Sequence, residues 1–456
     1  MNIVIAGDGK VGYTLAESLV EDGHDVTILD RNEVALRKAR EALDVLCIKG
    51  SSANVRHLIE AGVEKADVMI AATTNDENNM VCCLAAKMLG AKYTVARIRD
   101  PEYTESLTLL QKELGIDMVI NPERATALEI SRLFRFPFAS TIETFAHGRV
   151  EMVGFRANGR EPFAGIPMRH MPTSLPKVLF CAIERDDHVI IPNGDTSIQA
   201  GDLVHVAADY TTITEFFKRL GKNMDRVRSA MLIGGGHISY YLAKITAGMG
   251  MDLSLVEIKP DKCARLAEDL GEDVRIICGD GTDQELLQDE GADDYDALVC
   301  LTDRDEDNLI TGLYAARRGT SKVIVKVNRL TDTNIIRDMG VHSVVSPKYT
   351  TANAILRSVR ALAHAQASKI EKVYRIANGA VEALEFTALE DAPYLHTPLS
   401  RLQIKKGILV AVIVRNRKVI IPFGGDHIEA GDTVILISKA GRVVELTDAF
   451  TSEVRT

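Results

Sequence analysis

Gly7-Asp8-Gly9-Lys10-Val11-Gly12 is the segment most suited to chemistry, because its glycines stand where an anionic ligand would need bare backbone. It follows the apolar run of residues 2–6 and precedes a helical pattern over 10–22. Gly7 and Gly9 let the chain turn tightly and let a pyrophosphate approach the peptide N–H groups at the helix start. Gly12 lets that helix pack closely on its strand. Asp30 follows Gly7 by 23 residues, at the end of the next strand pattern. A carboxylate there accepts hydrogen bonds from ribose hydroxyls and disfavours a 2′-phosphate, so NAD is expected over NADP. Lys10 brings an ammonium into the loop, within reach of a phosphate. Arg97 and Arg99 fall at the C-terminal end of the fifth strand pattern, the edge where open α/β sheets bind ligands; their guanidinium forks match phosphate oxygens. Ser51 and Ser52, in the small polar turn after the third strand, and Thr73, after the fourth, complete the candidate set. Gly50-Ser51-Ser52 could line an adenine pocket, but a helix N-cap is the simpler expectation for it. Asp76-Glu77-x-Asn79 likewise reads as a capped helix start.

The same blocks occur twice. Gly7 to Gly12 recurs as Gly234-Gly235-Gly236-His237-Ile238-Ser239, and Asp30 as Glu257, both at an offset of 227. Thr73-x-x-Asp76-Glu77-x-Asn79 recurs as Thr302-x-x-Asp305-Glu306-x-Asn308, at 229. Ile198-Gln199-Ala200-Gly201-Asp202 recurs as Ile428-Glu429-Ala430-Gly431-Asp432, at 230. Kept order and a slowly drifting offset mark a duplication. A second candidate site therefore comprises Gly234, Gly236, His237, Ile238, Glu257, Asp280 and Gly281. It departs from the first: Ser239 replaces the third glycine, and Lys326 and Asn328 replace the arginine pair.

The elements that must position these residues alternate. Strand patterns near 2–6, 25–29, 44–48, 67–71, 93–98 and 117–120 are separated by helical stretches such as 10–22 and 76–89. This predicts βαβ units, hence an α/β fold with a doubly wound parallel sheet of Rossmann type. Each such domain is followed by short strands with Gly/Pro turns, including 178–183, 189–192 and 203–207, which predict a small α+β domain. The expected boundaries are 1–137, 138–222, 228–365 and 366–456, with the polar stretch 221–229 as the linker between halves.

Composition excludes several classes. A formal charge of −10 argues against a nucleic-acid binder with a broad basic surface. The longest apolar runs are strand-length, well short of the ~20 residues that cross a bilayer, and residues 1–7 enter a strand rather than a signal peptide. Seven scattered cysteines without a Cys-x-x-Cys pair suit a reducing cytosol. Tyr240-x-x-x-Lys244 matches a dehydrogenase pair, but it lies on the helix after a glycine loop and cannot face a nicotinamide at the strand ends. Asp303-x-Asp305-x-Asp307 lacks the later glycine and glutamate of a calcium loop. An NAD-dependent oxidoreductase would need an acid/base group, and His147, His170, His188, His205, His396 and His427 are isolated, with no partner visible in the sequence.

Taken together, the duplicated loop, Asp30, residues 72–79, Ala96 to Tyr103 and the two Ala-Gly-Asp turns resemble the TrkA family, the peripheral subunits of bacterial and archaeal Trk potassium uptake systems. The resemblance spans nearly the whole chain and implies two RCK-type modules, each a Rossmann-like domain followed by a small domain. It implies a regulator without catalysis that binds NAD(H) and ATP or ADP, Gly7, Gly9, Gly12 and Asp30 holding the dinucleotide or adenosine portion and Arg97, Arg99 and Lys10 the phosphates. It further implies self-association into a homotetrameric ring on the cytoplasmic face of the membrane, beneath an integral potassium-translocating subunit of TrkH or TrkG type. A regulator of another cation transporter is the remaining alternative of this kind.

Overall fold

Every residue of Val68–Ala71 is buried, as are four of the five in Asn2–Ala6. Strands apolar on both faces need cover on both, which a parallel sheet between helix layers supplies. In the computed structural model, β1 (Asn2–Ala6), β2 (Asp25–Asp30), β3 (Leu46–Lys49), β4 (Val68–Ala71), β5 (Tyr93–Arg97) and β6 (Met118–Ile120) form a parallel sheet in the order β3-β2-β1-β4-β5-β6. Reversal of strand order between β1 and β4 opens a crevice at their C-terminal ends, the usual ligand position in such sheets. The structure describes residues 1–103, 107–186, 188–328, 336, 339–364, 370–376, 381–439, 443 and 445–451. The expected boundary at 365/366 and the end of the last expected domain lie outside them.

Next comes an antiparallel sheet of β7 (Ala139–Phe145), β8 (Val150–Arg156), β9 (Leu179–Arg185), β10 (His188–Ile190) and β11 (Leu203–Ala208), ordered β10-β9-β11-β8-β7. The second half repeats both sheets. Its parallel sheet holds β12 (Ser229–Ile233), β13 (Asp252–Glu257), β14 (Val274–Cys278), β15 (Ala297–Cys300), β16 (Lys322–Lys326) and β17 (Ser343–Val345), ordered β14-β13-β12-β15-β16-β17. Its antiparallel sheet holds β18 (Ile370–Ile376), β19 (Val381–Thr387), β20 (Ile408–Arg415), β21 (Lys418–Ile420) and β22 (Thr433–Lys439), ordered β18-β19-β22-β20-β21.

The chain forms two compact units, and neither follows sequence order. Residues 1–131 and 228–359 make one, and residues 132–227 and 360–456 the other. The first thus holds both parallel sheets. In the second, the two antiparallel sheets share a core in which Phe145, Met152 and Cys181 pack with Ala383, Val412 and Ile435. A sheet of five short strands has one apolar face to cover, and here each sheet covers the other. Glu385 reaches across, its Oε2 accepting from the Ala146 N–H at 2.9 Å. Each Ala-Gly-Asp turn returns its aspartate to an arginine on the neighbouring strand. Asp202 takes a two-pronged pair from Arg185 (2.8 and 2.6 Å), and Asp432 takes one from Arg415. His205 corrects the expectation of isolated histidines, since it is buried with Nε2 2.8 Å from Glu184 Oε1 on the adjacent strand.

Candidate functional site

The first glycine loop joins β1 to the helix Lys10–Glu21. Gly7 sits at φ +106°, and a Cβ there would meet the Ala72 and Thr73 backbone at 3.0 Å. Only glycine takes that conformation against a neighbouring strand end without strain. A Cβ on Gly12 would lie 1.8 Å from the Gly7 carbonyl oxygen, so this contact sets how close helix and strand come. Gly9 is different, for a Cβ there meets nothing within 4 Å. It is also the helix N-cap, and no side chain caps the first turn. The bare N–H groups and helix dipole together form an anion-accepting end over open space. Lys10 is exposed and Val11 buried at this end.

Asp30, at the end of β2, accepts from the N–H of Asp8 (2.6 Å) and of Asn32 (2.7 Å), which fixes its carboxylate beside the loop. Asp8 is 8% exposed, and neither of its carboxylate oxygens has a hydrogen-bond partner. Burial, and secondarily the charge of Asp30, push its pKa up to about 6, against a smaller pull from Lys38. An acid whose folded pKa exceeds its unfolded value costs stability above that pKa and none below the unfolded one. Asp8→Asn is therefore expected to stabilise the chain by about 1–2 kcal/mol at pH 7 and by nothing at pH 3.5. Urea unfolding at the two pH values checks this, and equal stabilisation at both would contradict it.

Arg97 and Arg99 stand at the end of β5 as expected, but the structure ties both to the protein. Half-buried Arg97 donates to Thr73 O (3.4 Å) and lies 3.5 Å from Glu123. Arg99 Nε reaches Asp76 at 3.4 Å, and its Nη2 donates to Thr74 O. The capping account of residues 73–79 needs correction. The helix Asp76–Leu89 is capped by Asn75, whereas Asp76 Oδ2 accepts from the N–H groups of Arg99 (2.7 Å) and Asp100 (2.9 Å). Asn79 Nδ2 donates to Arg97 O (2.8 Å), and its Oδ1 accepts from Thr73 N (2.9 Å) and Oγ1 (2.7 Å). These two residues staple the β4 end to the β5 end. The copy does the same, Asp305 taking the Asn328 N–H and Asn308 bridging Thr302 and Lys326 O. Recurrence of the block at a fixed offset was the one sequence signal of this role.

The turn Gly50-Ser51-Ser52 and its counterpart Gly279 to Thr282 in the second half also differ from the capping expectation. The helices after them are capped by Asn54 and Asp283. Ser51 instead accepts from Arg31 Nη2 at 2.5 Å and its N–H donates to His57 Nδ1 at 3.0 Å, while Ser52 is buried. Asp280 folds back onto the Thr282 N–H and hydroxyl, whose bonds lower its pKa, and Gly281 packs against Ile233.

In the second loop Gly234 adopts φ +100° against Thr302, and Gly236 again faces open space as an uncapped helix start. Exposed His237 and buried Ile238 open that helix. Ser239 fits because its hydroxyl donates to Gly234 O at 2.5 Å. Gly235 answers the longer Glu257, since a Cβ there would lie 2.9 Å from Glu257 Oε2. That carboxylate is engaged by the N–H groups of Gly235 and Lys259 (3.0 Å each) and by Lys262 Nζ at 3.2 Å. Lys326 pairs with Asp303 at 3.2 Å. The first site thus keeps two acids, Asp8 and Asp30, and the second binds its single acid to a lysine. The bare helix start at Gly9, with open space over it, offers the donors and the room that a diphosphate group requires.

Profiles of the TrkA-N domain match residues 3–122 and 230–347, and those of the TrkA-C domain match 155–221 and 383–451. "Trk system potassium uptake protein TrkA homolog 1" of Methanosarcina mazei is 33% identical over 99% of this chain and 100% of its own length. "Trk system potassium uptake protein TrkA" of Vibrio alginolyticus is 32% identical over 96% of this chain and 95% of that protein. Among solved structures, "GsuK channel bound to NAD" superposes with a TM-score of 0.60 at 17% identity, over 96% of this chain and 77% of that one. At that identity the likeness is one of fold.

Proposed function

The chain belongs to the TrkA family, and on that premise we propose that it is a regulatory subunit of a potassium uptake system whose first glycine loop senses adenine nucleotides. The observation that carries this is the helix start at Gly9, open and uncapped, with Asp30 fixed beside it. In this reading Gly7, Gly9, Gly12 and Lys10 hold phosphates, Asp30 holds the adenosine ribose, and Arg97 and Arg99 add positive charge at the sheet edge. NAD(H), ATP and ADP are the ligands, and NAD is favoured over NADP because Asp8 and Asp30 would face a 2′-phosphate. The second loop, with Glu257 held by Lys262, is a weaker site.

No bond is made or broken. A ligand shifts an equilibrium by its differential affinity for two states, commonly a few kcal/mol. Phosphates drawn to one arrangement of the paired α/β domains supply that difference. The readout is a membrane-embedded potassium-translocating subunit of TrkH or TrkG type, beneath which the chain assembles as a homotetramer on the cytoplasmic face. Among the described residues no helix is long and apolar enough to cross a membrane.

Calorimetric titration with NADH, NAD, ATP and ADP tests the reading, with NADH absorbance followed for turnover. The expected result is saturable binding without consumption of NADH, weakened about tenfold or more in Asp30→Ala through loss of charge-assisted hydrogen bonds. Binding that ignores Asp30→Ala, or oxidation of NADH by the purified chain, would refute it.

A further inference from the structure

The side chain of Tyr241 joins the helix of the second loop to the β5 end of the first α/β domain. Tyr241 lies two residues after Ser239, on the helix His237–Ala247 that begins at the second glycine loop. It is 6% exposed. Its hydroxyl donates to Arg99 O at 2.9 Å and accepts from Asn121 Nδ2 at 2.8 Å. Asn121 Nδ2 also donates to Arg99 O at 3.1 Å, and its Oδ1 accepts the Arg124 N–H at 2.8 Å. Both groups thus converge on the carbonyl of a residue whose N–H and guanidinium are already held by Asp76. Arg99 is fixed from two sides, one belonging to the first α/β domain and the other to the second.

The duplication supplies an internal comparison. The offset of 227 places Thr14 opposite Tyr241, and the offset of 225 that relates β6 to β17 places Ser346 opposite Asn121. Ser346 Oγ is buried without a hydrogen-bond partner. A threonine hydroxyl lies about 4 Å nearer its backbone than a tyrosine's and does not replace it. Tyr241 thus ties the second loop's helix to the first loop's arginine segment.

We infer that Tyr241 is a positioning residue for the first nucleotide site, contributed by the second α/β domain, and that it holds Arg99 where the distal phosphate of a nucleoside diphosphate lies. This rests on the nucleotide reading above. The helix start at Gly236 and the Arg99 carbonyl then move together, so ligand at either loop biases the other, and the coupling is reciprocal.

The experiment titrates ADP and AMP into the full chain, wild type and variants, with Asp30→Ala marking the component due to the first loop. AMP shares adenine and ribose with ADP but lacks the distal phosphate. Tyr241→Phe keeps the ring and removes the hydroxyl, and is expected to weaken ADP about five- to tenfold, the equivalent of one hydrogen bond, with AMP changed less than twofold. Ser346→Ala is expected to change neither. ADP binding by Tyr241→Phe at the wild-type level, or equal weakening of ADP and AMP, would overturn the positioning role and leave the nucleotide reading intact. Wild type that binds neither nucleotide would overturn both.

Discussion

Alanine at position 12 is expected to abolish nucleotide binding and destabilise the first α/β domain, whereas alanine at position 9 is expected to abolish binding alone. The two glycines belong to one motif and do opposite work. A Cβ on Gly12 falls 1.8 Å from Gly7 O and 2.9 Å from Gly7 C, both backbone atoms that no side-chain rotation can clear. The helix Lys10–Glu21 must then move off β1, opening a core in which Leu15, Ala16 and Leu19 are fully buried. Overpacking of this kind costs about 1–3 kcal/mol, and backbone contacts put it at the upper end. At Gly9 the φ and ψ of −76° and −175° suit any residue, and a Cβ enters empty space. The protein has no objection to it, but a pyrophosphate against the same backbone does. The expected outcome for Gly9→Ala is an unchanged thermal midpoint with NAD and ADP affinities down at least a hundredfold, about 3 kcal/mol. Calorimetry beside thermal unfolding separates the two variants. Wild-type affinity in Gly9→Ala would move the ligand away from this loop.

The second large effect concerns a lysine remote from either loop. Lys322, the first residue of β16, is fully buried, and its ammonium donates to Ser343 Oγ at 2.9 Å. Burial drives its pKa down to about 7. In the unfolded chain lysine titrates near ~10.4. Between these values the unfolded state carries a proton that the folded state lacks, so unfolding free energy rises with pH across the window, by at most about 1.4 kcal/mol per pH unit. Lys322→Met keeps the volume and removes the titration. It is expected to stabilise the protein at pH 7 by several kcal/mol, as replacing buried charge with apolar volume often does. The advantage over wild type should shrink steadily toward pH 9. Neighbouring His342 acts with the same sign at lower pH. Burial, with Lys322 second, brings it down to about 4, and its Nδ1 accepts the Val323 N–H at 3.0 Å. Urea unfolding of both proteins at pH 7, 8 and 9 measures the difference. A gap that stays constant would mean that Lys322 does not change protonation on folding.

Much of this was legible in the residues. The alternation of apolar strands with helical stretches led to two doubly wound sheets, because strand and helix periods are local and the covered parallel sheet follows from strands apolar on both faces. The glycine loop with Asp30 was legible for a similar reason. A turn requiring positive φ, a close helix–strand approach and an acid one strand later are all near neighbours in sequence.

What was not legible depended on groups distant along the chain. Asp76 and Asn79 looked like helix caps, since an acid and an amide in a first turn are adequately explained by capping; their partners are Arg99 N and Arg97 O at the end of β5 and just beyond it. Ser51 and Ser52 looked like caps until Asn54 took that place. His205 looked isolated because Glu184 is 21 residues away and adjacent only across the sheet. Tyr241 was passed over beside Tyr240, which read as half of a misplaced dehydrogenase pair, and its partners lie 142 and 120 residues away in the other α/β domain.

By itself, then, the sequence determined the repeat, the fold of each domain and the backbone geometry of the first loop, all of which rest on local spacing, backbone conformation and apolar periodicity. Only the tertiary structure decided which duplicated domains pair, and which polar groups of the repeated spacing hold strand ends together. Those outcomes are set by where buried donors and acceptors find each other once distant segments meet, and a buried polar group must take whichever partner the fold delivers.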